Sequence, residues 1–89
     1  MKGKRWVVEG GTLDAVYDSL GAQLGLPAQF GRNLDALWDA LTTELPGPIE
    51  IVWPDSAAAR AALGPDYDRL LAVLREAEAA RRDLVLTLA

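Results

Sequence analysis

The sequence predicts a small single-domain α/β protein in which about four helices pack on a three-stranded parallel sheet. A chain of 89 residues, 51% of them apolar, can form one hydrophobic core and has no room for a second. Three short apolar runs have the composition of strands, at residues 6–8, 49–53 and 84–88. Helical patterns lie between them, and strands joined by helical crossovers pair in parallel. Residues 1–89 are therefore expected to form one domain.

The first two helices are predicted from the residues at their ends. The first begins near Thr12 and runs to about Leu24, because Gly25 is suited to a helix C-terminus and a proline follows. The second begins after Asn33, a favourable N-cap residue, and its leucines recur on one face. The Pro-Gly-Pro segment at 46–48 ends this second helix.

Two further helices are predicted between the second and third strands. Asp55 or Ser56 caps a short alanine-rich helix that ends at Gly64. Pro65 suits the first turn of the last helix, because the N–H group that it lacks would have no helical partner there. This helix extends to about residue 81, where two arginines, 81–82, are expected to interact with the negative end of its own dipole.

The chain lacks the side chains that hydrolytic enzymes and metal sites most often use. The chain has no cysteine and no histidine, so thiolate nucleophiles, zinc–thiolate sites and imidazole bases are all excluded. We therefore expect a protein that is not an enzyme and that holds no cofactor or metal. The apolar run near the N-terminus is too short for a signal peptide or a membrane span. The sequence predicts a cytoplasmic protein that does not enter membranes.

The net charge of −4 is concentrated in the middle of the chain. Residues 14–55 carry seven carboxylates and a single cation, Arg32, which gives this stretch a net charge of −6. Nucleic-acid binding requires clustered lysine and arginine side chains, so this distribution argues against it. The acidic stretch favours a basic partner.

Asp35 and Asp39 are four residues apart on the second predicted helix, so they project from the same side. The helix dipole explains Asp35, which lies in the first turn, better than it explains Asp39. On spacing alone, the simplest interpretation is a solvated helix face. Phe30 and Trp38 are likewise most simply interpreted as core residues.

Two other interpretations remain open from the residues alone. An enzyme could use Asp35 and Asp39 as a carboxylate pair for acid–base or metal chemistry. The absence of histidine and of a glycine-rich phosphate loop argues against this interpretation. A purely structural α/β module is the other interpretation.

Residues 26–41, with the sequence LPAQFGRNLDALWDAL, resemble the signature of the barstar family. That signature combines Leu-Pro, an aromatic residue, glycine and the run Asn-x-Asp-Ala-Leu-Trp-Asp, of which residues 33–39 are the most specific part. The resemblance extends over essentially the whole chain, because a strand near the start and a Leu-Arg-Glu-Ala helix before the last strand also match. It implies a barstar-like fold.

The resemblance also implies a function and a set of partner-binding residues. Barstar-like proteins bind a secreted microbial ribonuclease of the barnase type one to one, with carboxylates in the positions of RNA phosphates. Asp39 would be the central phosphate mimic, and Asp35 and Glu76 would form further charge pairs. The remaining partner-binding residues would be Gln29, Phe30, Gly31, Asn33, Trp38 and Thr42. An immunity protein or binding module for a different basic toxin or partner is the alternative.

Four positions depart from the family pattern. Gln29 and Glu44 stand where barstar has aromatic residues, and Phe30 replaces a tyrosine. Arg32 stands where barstar has a carboxylate, which reverses a charge at the rim of the implied binding surface. Because rim charges tune partner choice, we expect a different cognate nuclease, with Arg32 as a specificity element.

Overall fold

The computed structural model describes residues 3–26 and 31–89 of the chain. Three parallel strands form one sheet in the order β1-β2-β3, with β1 at Lys4–Val7, β2 at Ile49–Trp53 and β3 at Leu84–Leu88. This sheet confirms the predicted α/β fold. Strand β1 begins two residues earlier than predicted, because the N–H group of Lys4 already donates to Pro48 at 2.8 Å. The exposed side chains at its start gave no apolar signal.

Four α-helices lie within the described residues, and they confirm the predicted order of elements. They are α1 at Leu13–Leu24, α2 at Leu34–Asp39, α3 at Ser56–Leu63 and α4 at Pro65–Ala80. A π-helical segment, Ala40–Glu44, follows α2 directly. Helix α1 packs on β1, α4 packs on β3, and α2 packs on α4. No helix among these residues is long and apolar enough to span a membrane.

The helices cover one face of the sheet, and the other face is exposed to solvent. Trp6, Ile51 and Leu84 point into the core, where each is almost completely buried. On the opposite face, Arg5 forms an ion pair with Glu50, and Val85 and Thr87 on β3 are exposed. The alternation of buried and exposed residues along each strand therefore gives a two-layer architecture.

Helix side chains also bond the two outer edges of the sheet. The amide of Gln23 accepts a hydrogen bond from the Val7 N–H group at 2.8 Å and donates one to the Val7 carbonyl oxygen at 2.9 Å. At the other edge, the carboxylate of Glu78 accepts from the Leu86 N–H group at 2.9 Å. These bonds satisfy one residue at each outer edge of the sheet, and they attach α1 and α4 to the strands.

The helix ends agree with the sequence at α1 and differ at α3. Helix α1 begins directly after Thr12 and ends at Gly25, as predicted; Thr12 also caps the helix, and Gly25 is left-handed. Asp55 occupies the N-cap position of α3, but it is left-handed, with φ at 53°, and its side chain makes no cap hydrogen bond. The Ser56 hydroxyl instead donates to the carbonyl oxygen of Ala89 at 3.0 Å. The predicted side-chain cap of α3 is therefore wrong: Asp55 makes no cap hydrogen bond, and the Ser56 hydroxyl is bonded to Ala89, the residue after β3.

Candidate binding surface

Asn33 determines where α2 begins. Its side-chain oxygen accepts a hydrogen bond from the N–H group of Ala36 at 2.8 Å, which confirms the predicted N-cap. With this start, Asp35 lies in the first turn and Asp39 lies one turn further along the same side of the helix. Both aspartates are exposed.

The inner side of α2 holds the helix against the hydrophobic core. Leu37 and Leu41 are fully buried, and Trp38 between them is half-buried and packs on the core. The hydroxyl of Thr42 donates to the carbonyl oxygen of Trp38 at 2.7 Å. Trp38 and Thr42 therefore lie at the border between core and surface, where each keeps a partly accessible side chain.

The helix changes its hydrogen-bonding pattern directly after α2. In the segment Ala40–Glu44 the pattern is π-helical, and the N–H group of Leu45 donates to the carbonyl oxygen of Ala40 at 2.9 Å, five residues back. The sequence predicted one continuous α-helix up to the Pro-Gly-Pro segment, so this π-helix is a correction. Such segments are rare and occur frequently at functional sites. This one carries Thr42.

Three exposed carboxylates among the residues that the resemblance singles out lie on α2 and α4. Asp35 and Asp39 lie on α2, and Glu76 lies on α4, the helix against which α2 packs. Within residues 3–26 and 31–89, none of the three takes part in an ion pair or a side-chain hydrogen bond. The described part of the chain also contains no acidic cluster suited to a metal ion. These carboxylates are therefore available to cations from another molecule.

Arg32 is turned towards α1. Its guanidinium donates to the carboxylate of Asp18 at 2.8 Å and lies 3.5 Å from the carboxylate of Asp14. The hydrogen bond to Asp18 raises the pKa of the Arg32 guanidinium above its ordinary value. The guanidinium also lies 5.9 Å from the ring centre of Tyr17. Its positive charge is therefore partly compensated within the molecule.

The free fold does not require a glycine at position 31. Gly31 is exposed and does not have a positive φ. A Cβ atom built there would lie 3.4 Å from the Cβ of Ala36 and 3.5 Å from the side-chain nitrogen of Asn33, which is ordinary contact. The neighbouring positions Gln29 and Phe30 lie outside the described residues.

Comparison with known proteins identifies the family. The family model "Barstar (barnase inhibitor)" matches residues 9–89. The chain belongs to the barstar family. A protein of Bacillus subtilis (strain 168) named "Putative ribonuclease inhibitor YrdF" is 35% identical over 71 residues, which cover 80% of this chain and 78% of that protein. The barstar resemblance carried by residues 26–41 is therefore confirmed, and both matches support a role in ribonuclease inhibition in general.

Arg81 of this barstar-family chain lies at the C-cap of α4, at the helix end where the sequence predicts it. The sequence did not predict that its guanidinium reaches the end of the π-helical segment. There it donates to the carbonyl oxygens of Leu41 at 2.9 Å and Leu45 at 2.8 Å. It also forms two hydrogen bonds with Asp83, at 2.9 and 3.0 Å. The acceptors on the π-helical segment are distant in sequence, so no local pattern could reveal these contacts.

Proposed function

We propose that this barstar-family protein inhibits a secreted microbial ribonuclease of the barnase type by forming a one-to-one complex. Asp35, Asp39 and Glu76 would then occupy the positions of RNA phosphates in the basic active site, with Asp39 at the centre. The observation that carries this proposal is that all three carboxylates are exposed and lack an internal cation in the described residues.

The binding logic follows from what a ribonuclease must retain. Its cleft has to be basic to bind RNA, so an inhibitor that presents carboxylates uses a property that the enzyme cannot lose. Asp35 and Asp39 are presented by a helix whose inner side is anchored by the buried Leu37. A preorganised helix loses less conformational freedom on binding than a loop does, and more of the interaction free energy appears as affinity.

The chain itself contains an example of the proposed contact. On α1, Asp14 and Asp18 have the same spacing of four residues as the α2 pair, and together they bind the guanidinium of Arg32. This arrangement supports the proposal that Asp35 and Asp39 can bind an arginine of the nuclease in a similar way.

The remaining proposed contacts surround these carboxylates. Gly31 would allow close approach of the partner, Asn33 would add hydrogen bonds beside its capping role, and Trp38 would supply packing. Thr42 would add a polar contact on the π-helical segment. For Gln29 and Phe30, which lie outside the described residues, the proposal rests on the family resemblance alone.

The proposed activity is binding, without catalysis, a cofactor or direct contact with nucleic acid. We place it in the cytoplasm, where it would neutralise the nuclease before secretion. Arg32, which replaces a family carboxylate, favours a cognate enzyme that differs from barnase in the charges around its cleft. An immunity protein against another basic toxin is the second candidate. It rests on the same observation, that Arg32 replaces a family carboxylate.

The proposal is tested by titrating the protein against barnase and a panel of related guanyl-specific microbial ribonucleases while RNA cleavage is followed. We expect stoichiometric inhibition of at least one enzyme, with an endpoint at one inhibitor per enzyme. Failure to inhibit any panel member at micromolar inhibitor would contradict the proposed function. Inhibition of an unrelated basic toxin alone would favour the second candidate.

A further inference from the structure

The end of the π-helical segment leaves carbonyl groups without helical partners. In a π-helix, the carbonyl oxygen of Leu41 would accept from residue 46, but Pro46 has no N–H group. The N–H group of Leu45, the other nearby donor, is already bonded to Ala40. Backbone polar groups that leave water need hydrogen-bond partners, so this end of the helix requires a donor from elsewhere.

Arg81 supplies that donor from the turn between α4 and β3. One of its terminal nitrogens donates to both Leu41 and Leu45, and its side chain is only 13% exposed. The positive charge also lies at the C-terminal end of the helical segment, where the helix dipole favours cations.

Two other residues hold the Arg81 guanidinium in place. Asp83 accepts two hydrogen bonds from it in a bidentate pair, which fixes the plane of the guanidinium. Gly47 leaves the space that this pair occupies, because a Cβ atom at Gly47 would overlap both the Asp83 carboxylate and the Arg81 guanidinium. The contact therefore joins two separate parts of the chain, residues 41–47 and 81–83.

We propose that Arg81 is a positioning residue for partner binding, which rests on the proposed function. It holds the C-terminal end of the segment that carries Thr42 and directly follows Asp39. Thr43 and Glu44 in this segment are exposed, so the core does not fix its outer side. Without Arg81 the segment would open more often, and binding would have to order it again. Ordering costs of this kind weaken a complex mainly through faster dissociation.

The first arm of the test uses the free protein and needs no nuclease. Hydrogen exchange is compared between wild type, Arg81→Met and the control Arg82→Met, which removes one positive charge at the next, exposed position. Arg81→Met loses the charged hydrogen bonds to the carbonyl oxygens of Leu41 and Leu45. This loss should accelerate exchange of the Leu45 amide about tenfold or more. The amides of α3 should exchange at the wild-type rate, and Arg82→Met should behave as wild type throughout. Unchanged exchange of the Leu45 amide would overturn the proposal.

The second arm measures the complex with barnase, or with the panel enzyme inhibited most strongly. At a temperature where all variants are fully folded, Arg81→Met should dissociate about tenfold faster than Arg82→Met, with similar association rates. A role in global stability alone would lower the melting temperature without changing the dissociation rate. Faster exchange with unchanged dissociation would therefore overturn the positioning role.

Arg81→Lys keeps the charge but cannot reproduce the planar set of donors. We expect its exchange and dissociation rates to lie between those of wild type and Arg81→Met. If Arg81→Met fails to fold, both measurements are made on Arg81→Lys instead. Full recovery by lysine would show that charge alone is sufficient and would contradict the proposed geometry. If the wild-type protein binds no ribonuclease, the proposed function fails, whereas the exchange arm still decides whether Arg81 holds the segment.

Discussion

Helices α1 and α2 each present two exposed aspartates with the same spacing of four residues. On α1, Asp14 and Asp18 bind the guanidinium of Arg32. On α2, Asp35 and Asp39 form no ion pair within the described residues. Spacing alone therefore does not distinguish an internal charge pair from a surface that is available to a partner. The difference comes from the tertiary position of one arginine.

Arg32 is the single cation between residues 14 and 55, and it is paired with a carboxylate of α1. The α1 pair is thereby neutralised in part, whereas no cation of the described residues pairs with the α2 aspartates. Ion pairs between exposed side chains contribute little to stability, so the α1 contact does not hold the fold together. The same carboxylate chemistry has a larger effect where a partner removes the charges from water.

The largest expected effect is the loss of binding in Asp39→Ala. Removing this carboxylate would leave nuclease cations unpaired in the complex, at about 2–5 kcal/mol or more, a range drawn in part from complexes of this family. Stability should change by less than about 0.5 kcal/mol, because the side chain is exposed. Asp18→Ala, the matched change on α1, should weaken binding far less, because it only leaves the charge of Arg32 less compensated at the rim of the surface. Calorimetry of the complexes and thermal melts of the free proteins measure both effects, and equal binding by Asp39→Ala would make Asp39 an ordinary solvated residue.

Gly31→Ala should separate binding from folding in the same region. The free fold has room for the methyl group, so stability should change by less than about 0.5 kcal/mol. In the complex the added group would overpack the interface, at about 1–3 kcal/mol. Gly64→Ala is the control with the opposite pattern: it should destabilise the fold and leave binding unchanged. At φ 58° and ψ −132°, Gly64 has a backbone conformation that residues with a side chain rarely adopt, at a cost of about 1–3 kcal/mol. Normal nuclease binding by Gly31→Ala would remove Gly31 from the interface.

Arg32→Glu should make the surface around α1 and α2 more negative and so strengthen its attraction to a basic partner. We expect association with barnase to accelerate by less than about tenfold at low salt, because the change adds negative charge near the proposed surface. The gain should fall as salt rises, since screening acts over about 8 Å at physiological ionic strength. Arg5→Glu makes the same change on the exposed sheet face and should accelerate association less. With the true cognate nuclease, Arg32→Glu should be neutral or harmful. Slower association of Arg32→Glu with barnase at low salt, measured by stopped flow, would place the Arg32 segment outside the interface.

The smallest expected effect concerns the ion pair that fixes Arg81. The hydrogen bond from Arg81 holds the pKa of Asp83 below its ordinary value of 3.8. The folded state therefore favours ionised Asp83, and this contribution to stability is present above about pH 4 and is lost as the pH falls through the lowered pKa. Asp83→Asn should lower the melting temperature at pH 7, with a difference from wild type that narrows below pH 4. A difference that stays constant from pH 7 to pH 3 would contradict this account.

The features that could be predicted from sequence depend on neighbouring residues. The start of α1 near Thr12, the cap at Asn33 and the stop at Gly25 depend on residues within one helical turn, and the strands need only their own composition. The barstar signature is likewise contiguous, so the family could be recognised from the sequence, whereas the role of the two α2 aspartates stays a prediction.

The features that sequence reasoning missed depend on contacts between distant parts of the chain. The end of the π-helix is completed by Arg81, which lies 40 residues after Leu41. Arg32 finds its carboxylates on α1, 14 residues before it in the case of Asp18. Local helix propensity does not show which distant donor reaches an unsatisfied carbonyl group. The sequence therefore predicted a continuous α-helix where the structure has a π-helix completed by Arg81.

The central claim is that the α2 aspartates, rather than acidic charge in general, bind the nuclease. Isothermal titration of barnase, or of the panel enzyme inhibited most strongly, with two charge-matched double variants tests it most directly. Asp35→Asn/Asp39→Asn and Asp14→Asn/Asp18→Asn each remove two negative charges at the same spacing on exposed helix positions. The account predicts that the α2 variant loses about a hundredfold or more in affinity, while the α1 variant loses less than about threefold. Equal losses in both variants, or wild-type affinity in the α2 variant, would contradict it.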